Sequence, residues 1–179
     1  MQRSMVSFLI VLLTFMGCSN VPTDISDSTP PSDETVRPNE LETVAENLNV
    51  PWELAFTKEG DIFFTERPGN LRLIRDGELV EEPLLSLPAP FISEGEGGLL
   101  GLAADPAFES NHFLYVYHSY EQDGAIQNRV LRLIVDGEKA QIDKVILDGI
   151  VGDTNHNGGR LKIGPDGLLY ITAGDRYEP

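Results

Sequence analysis

From residue 41 onward, apolar residues recur in short runs that alternate with polar positions, and no stretch sustains helical spacing over three turns. The pattern predicts an all-β domain. Strands are expected at 42–48, 53–56, 61–66, 71–75, 79–85, 99–103, 114–119, 130–135, 144–150, 160–163 and 168–173. Tight turns are expected at Lys58-Glu59-Gly60, Arg67-Pro68-Gly69, Asp76-Gly77, Asp136-Gly137 and Pro165-Asp166-Gly167. Glycine there supplies the positive φ that a short hairpin connection needs.

A repeat emerges from the same pattern. Ala55-Phe56 followed by Ile62-Phe63-Phe64-Thr65 recurs as Ala103-Ala104 followed by Leu114-Tyr115-Val116-Tyr117, then as Lys162-Ile163 followed by Leu169-Tyr170-Ile171-Thr172. Leu114 lies 52 residues beyond Ile62, and Leu169 lies 55 beyond Leu114. A period near 50 residues with about four strands per unit is the size of a propeller blade. Two blades and the opening of a third fit before Pro179, so the chain is expected to be part of a longer protein. Trp52, Phe56, Phe63, Tyr115 and Tyr170, on the repeated strands, are expected to pack between blades.

The first 40 residues read differently. Arg3 precedes an apolar run from Met5 to Met16, too short for the ~20 residues of a spanning helix. The run ends in Gly17-Cys18-Ser19, which predicts a lipoprotein-type signal at 1–17, lipid on Cys18, and export to a membrane facing the periplasm or cell exterior. An ordinary signal peptide with an incidental cysteine is the other reading. Residues 18–40, rich in Ser, Thr, Pro and Asp, are expected to be a disordered tether, leaving 41–179 as the folded domain. Charge adds one exclusion: 13 Lys and Arg against 29 Asp and Glu, a net −16, disfavour any nucleic-acid partner.

The candidate chemistry lies in Asn155-His156-Asn157-Gly158-Gly159-Arg160-Leu161, where an imidazole sits in a small-residue loop directly before two strands. Asp153-x-Asn155-x-Asn157-Gly158 matches the first half of an EF-hand loop, but Gly164 stands where the bidentate Glu is required, so that reading is rejected and no metal ligand is assigned. Gly95-Glu96-Gly97-Gly98 lacks the spacing and the Lys of a phosphate loop. His112 and His118 have no motif around them and are read as structural; Asp175 is read as a hydrogen-bonding acid between blades.

Together with Pro51-Trp52-Glu53-Leu54-Ala55-Phe56, Thr65-Glu66-Arg67-Pro68-Gly69 and Glu96-Gly97-Gly98-Leu99-Leu100-Gly101-Leu102-Ala103, the His156 segment resembles the soluble pyrroloquinoline-quinone sugar dehydrogenases, and more closely their aldose sugar dehydrogenase branch. The resemblance implies a six-bladed β-propeller, of which this chain supplies about the first two to three blades, with segment 42–48 helping to close the ring. It also implies an oxidoreductase that converts an aldose to its lactone, with pyrroloquinoline quinone as hydride acceptor and an external electron acceptor. A calcium ion is implied as well, its ligands expected beyond Pro179. Carried over by motif, the catalytic base falls on His156, with Glu96, Asn155 and Arg160 on the cofactor side. Asn155 stands where some members have Asp, supplying a hydrogen bond but no charge. Glu96 reads equally as a solvated turn acid, and Arg160 as a structural salt bridge. Two rivals remain from sequence: a non-catalytic cell-surface propeller that binds glycans or protein, and a calcium-dependent lactonase-like propeller.

Overall fold

The structure, a computed structural model, describes residues 41–175. The expected signal sequence and tether lie outside them. Among the described residues, eleven strands in chain order form three antiparallel sheets. The first holds β1 (Pro51–Phe56), β2 (Ile62–Glu66), β3 (Asn70–Arg75), β4 (Glu78–Leu79) and β5 (Leu85–Ser86). The second runs β6 (Leu99–Ala104), β7 (Phe113–Gln122), β8 (Ala125–Asp136) and β9 (Lys139–Val151). The third is the hairpin of β10 (Gly158–Ile163) and β11 (Leu169–Ala173).

The sequence repeat is a repeat of register. Phe56 pairs with Ile62, Ala104 with Leu114, and Ile163 with Leu169. Each first strand also carries one extra residue at the same place, between Pro51 and Leu54, Leu99 and Leu102, and Gly158 and Leu161. A bulge bends the strand and re-aims the residues inside it. Thr65 and Thr172 face the first and third bulges, and their hydroxyls accept the backbone N–H of Glu53 (3.2 Å) and Arg160 (3.0 Å) that the irregular ladder leaves free. In the second sheet the corresponding residue is Gly101, where a Cβ would lie 1.9 Å from the Gly159 carbonyl oxygen. Only glycine allows β6 and β10 to approach so closely.

Several expected boundaries move for physical reasons. Segment 42–48 forms no strand. The strand expected at 79–85 is two short pieces, because Glu81, Glu82 and Pro83 loop away from β3 and proline has no N–H to give the ladder. β7, β8 and β9 extend well past their apolar centres, through polar residues such as Gln122, Gln127 and Asn128. The Asp123-Gly124 turn that joins β7 to β8 has positive φ at both residues, 53° and 77°, as a two-residue hairpin requires. A one-turn helix, α1 (Phe108–Asn111), interrupts β6 and β7; its Phe108 caps the core edge-on to Phe63 at 5.3 Å.

The second sheet is shared by two interfaces, because successive side chains on a strand point to opposite faces. Leu114, Val116, Leu131, Leu133 and Val135 pack against Ala55, Phe63, Leu71 and Leu73 of the first sheet. On the opposite face, Tyr117 and Val130 meet Leu161 of the third. Of the aromatic residues expected to pack between blades, Phe63 is fully buried and Tyr115 and Trp52 are half-buried. Phe56 and Tyr170 correct the expectation. Both are exposed, since they lie on sheet faces that no further sheet covers among the described residues, and the Tyr170 hydroxyl donates to Asp166 at 2.8 Å.

Candidate functional site

At the starts of β1 and β10 a concavity of about 300 Å³ is lined by Val50, Trp52, Arg67, Glu96, Leu100, His156, Asn157 and Gly158. Two loops meet there, 92–98 before β6 and 152–157 before β10. They are stitched directly: the Glu96 N–H donates to the Thr154 carbonyl (2.7 Å), and the His156 N–H donates to Glu96 Oε2 (2.8 Å). His156 adopts a left-handed conformation, φ 54°, which a non-glycine residue holds only when its surroundings compensate. Gly174 is part of that compensation, since a Cβ there would fall 1.5 Å from the His156 carbonyl oxygen.

The His156 ring is partly exposed, and its Nδ1 lies 2.9 Å from Asp175 Oδ1. The sequence reads Asp175 as a hydrogen-bonding acid between blades, and the structure gives it a bond to His156. Nothing in the Gly174-Asp175 that follows β11 announces a partner 19 residues away; the signal is the hairpin itself, which returns the end of β11 to the start of β10. Arg67 was likewise read only as a turn residue. Its Nη1 donates to the Gly95 carbonyl, and its Nε is buried with no hydrogen-bond partner among the described residues.

Glu96 and His156 are thus brought together at the concavity. Asn155 and Arg160 stand apart from its lining. The Asn155 amide donates to Thr154 Oγ1 at 3.2 Å, shaping the loop. The Arg160 guanidinium bonds Glu53 Oε2 and lies 4.5 Å over the Trp52 ring, so it meets the concavity from behind Trp52. Gly158 and Gly159 have φ values of 68° and 95°, and a Cβ on Gly159 would touch the Tyr117 ring at 2.8 Å. The residues of the rejected EF-hand pattern bond each other. Asn157 Oδ1 accepts from Asn128 Nδ2 and the Asp153 N–H, while Asp153 Oδ1 accepts from Thr154. No group of three or more His, Cys, Asp or Glu side chains converges as a metal set among the described residues.

Two buried groups nearby have displaced acidities. Desolvation pushes the Tyr117 phenol far above its ordinary value, so it stays a donor, to the Asn157 carbonyl at 2.9 Å. His118 is held at about 4, chiefly by burial, with the neighbouring Arg129 charge acting in the same direction against the Ser119 carbonyl and Asp148. Its Nδ1 lies 2.9 Å from the Ser119 carbonyl and its Nε2 accepts from Arg129 at 2.9 Å, which fixes a neutral ring with the proton on Nδ1. That is the structural role the sequence suggested.

Comparison with known proteins places this arrangement in context. The family model described as glucose/sorbosone dehydrogenase matches residues 48–179. A structure of an oxidoreductase described as a glucose dehydrogenase from Thermus thermophilus superposes with a TM-score of 0.70 at 42% identity, covering 76% of this chain and 41% of that one. The structure of the PQQ-bound form of an aldose sugar dehydrogenase from Streptomyces coelicolor gives a TM-score of 0.70 at 33% identity, covering 77% and 42%. Quinoprotein glucose dehydrogenase B of Acinetobacter calcoaceticus is 25% identical over 93% of this chain and 36% of its own length. The chain therefore spans between about a third and two fifths of these relatives.

Proposed function

The chain belongs to the glucose/sorbosone dehydrogenase family, and from that premise we propose that its three sheets are consecutive blades of a six-bladed propeller whose axis holds pyrroloquinoline quinone. The reaction is oxidation of the C1 hydroxyl of an aldose to the lactone, with an external acceptor taking the electrons onward. The residues suit a flat, polyanionic ligand. Trp52 and Leu100 offer apolar surface in the concavity, and Arg67 brings a guanidinium whose buried Nε has no hydrogen-bond partner among the described residues. When bound, the quinone supplies the two-electron acceptor for hydride leaving C1.

The observation that carries the reading is the His156–Asp175 contact at the mouth of the concavity. With Asp175 accepting from Nδ1–H, the neutral imidazole keeps its lone pair on Nε2, the form a general base needs. His156 Nε2 then takes the C1 hydroxyl proton as the C1–H bond breaks, and Asp175 stabilises the imidazolium that results. Glu96, anchored through the His156 N–H, supplies a carboxylate acceptor for sugar hydroxyls. Arg160 and Asn155 act at one remove, Arg160 through Trp52 and Asn155 through the shape of the loop.

The test uses full-length protein reconstituted with pyrroloquinoline quinone and calcium, assayed by dye reduction with a panel of aldoses. His156→Ala is expected to lower kcat by about 10²–10⁴-fold with the circular dichroism spectrum and quinone binding retained. Retention of most of the activity rejects His156 as the base.

A further inference from the structure

Beneath the two loops of the site runs a chain of polar groups that the proposed chemistry does not use. The Gly98 N–H donates to Ser119 Oγ (3.2 Å), and Ser119 Oγ–H donates to Asn128 Oδ1 (2.7 Å). Asn128 Nδ2 then donates to Asn157 Oδ1 (2.9 Å). Asn157 closes on its own loop, accepting the Asp153 N–H (3.1 Å) and donating to the Asp153 carbonyl (2.7 Å). Ser119 and Asn128 are 0% exposed and Asn157 is 3% exposed. Glycines seal both ends: a Cβ on Gly97 would lie 2.9 Å from Ser119 Oγ, and one on Gly152 would lie 2.7 Å from Asn128 Nδ2.

Three buried polar side chains are tolerated because each is hydrogen-bonded, and a satisfied buried network of directional bonds fixes the groups it joins. Here they join the Glu96 loop to the His156 loop through the rigid pair β7 and β8. We infer that Asn128, supported by Ser119, is a positioning residue for His156. It fixes the depth and tilt of loop 152–157 through Asn157, while Glu96 fixes the same loop at the surface. Its effect on turnover rests on the proposed role of His156 as base; its effect on the loop does not.

Asn128→Asp tests this, because it keeps the acceptor for Ser119 and turns a carboxylate oxygen toward Asn157 Oδ1. Asn157 then either faces a repulsive contact or flips its amide and loses both bonds to Asp153. In the full-length protein the variant is expected to exchange the Asp153 and His156 amide hydrogens faster and to shift the His156 imidazole ¹⁵N resonances. In the quinone-loaded form kcat should fall about ten- to hundredfold with KM little changed. Ser119→Ala, a milder cut, moves the same signals less, and serves if Asn128→Asp does not fold. Leu133→Ala, in the apolar interface, is the control: it lowers the melting temperature without moving the loop signals or kcat. Unchanged exchange and unchanged imidazole resonances in both network variants overturn the inference. Loop signals that move while kcat holds keep the positioning role and count against His156 as base.

Discussion

The two faces of the second sheet are built from different materials. Toward the first sheet it presents Leu114, Val116, Leu131, Leu133 and Val135, closed over by Phe63 and Phe108. Toward the third it sets Leu100 and Val130 against Leu161, and beside them Tyr117, Ser119 and Asn128, whose hydroxyls and amides make hydrogen bonds that end on the loop before β10. Apolar packing is nondirectional and holds two sheets together with tolerance in their exact placement. Hydrogen bonds between buried groups are directional, so the second face gives up some stability for a fixed position of the loop it touches. The face that holds and the face that aims share one set of backbone hydrogen bonds.

The sharpest way to break the contrast is to excavate the apolar face. Phe63→Ala, which removes a fully buried ring that meets Phe108 edge-on, is expected to cost about 3–5 kcal/mol in denaturant unfolding. The site should stay competent in whatever fraction remains folded. A loss of kcat per folded molecule would mean that the two faces are not separable.

The next effect comes from pH. His118 lies on the apolar side of the second sheet, facing Phe91, Tyr120, Arg129 and Asp148. Its folded value of about 4 lies below the 6.5 of an unperturbed histidine, so the unfolded chain binds this proton more readily than the folded one. Stability from this group is complete above about pH 6.5, drains as pH falls toward 4, and levels below that. The full difference is about 3 kcal/mol. Melting temperatures of the parent protein and His118→Gln between pH 7 and 4 isolate it; parallel curves for the two would dismiss it.

The smallest effect sharpens the comparison most. Thr65 and Tyr117 each send one hydroxyl from one sheet to the next, to the Leu100 carbonyl at 2.7 Å and the Asn157 carbonyl at 2.9 Å. Thr65→Val and Tyr117→Phe should each cost about 1–2 kcal/mol. Only the second should also lower kcat, because only it loosens the loop that carries His156. Equal behaviour of the two in turnover would erase the distinction.

Much of the scaffold was legible in the chain because alternation and turn chemistry are local. Asp76-Gly77 and Pro165-Asp166-Gly167 mark turns that the structure keeps, and the repeated dipeptides before each second strand marked the register itself. The bulges were not legible, since one extra residue leaves no trace in a short apolar run. Ser119 and Asn128 were hidden for a related reason: a polar residue inside a strand reads as solvent-facing, and only the third sheet, folded against it, makes it buried. Within the site, the Asn-Gly-Gly-Arg context picked out His156 and the glycine-rich run picked out Glu96. Asp175 and Arg67 reach the same place through tertiary return of the chain, which no spacing encodes. Asn155 and Arg160, carried over with the motif, turn to Thr154 and Glu53, which for Arg160 is the salt bridge the sequence also offers.

The kink shared by the three opening strands has one more consequence. Because two of the sheets settle their surplus residue with a threonine hydroxyl, the ladder downstream keeps its pairing whatever side chain the kink displays there, whereas the middle sheet, pressed against β10, admits only a bare glycine. Glutamate, glycine and arginine stand at that spot in turn. The outer two kinks can therefore be respelled without disturbing the sheets behind them, and the middle one cannot.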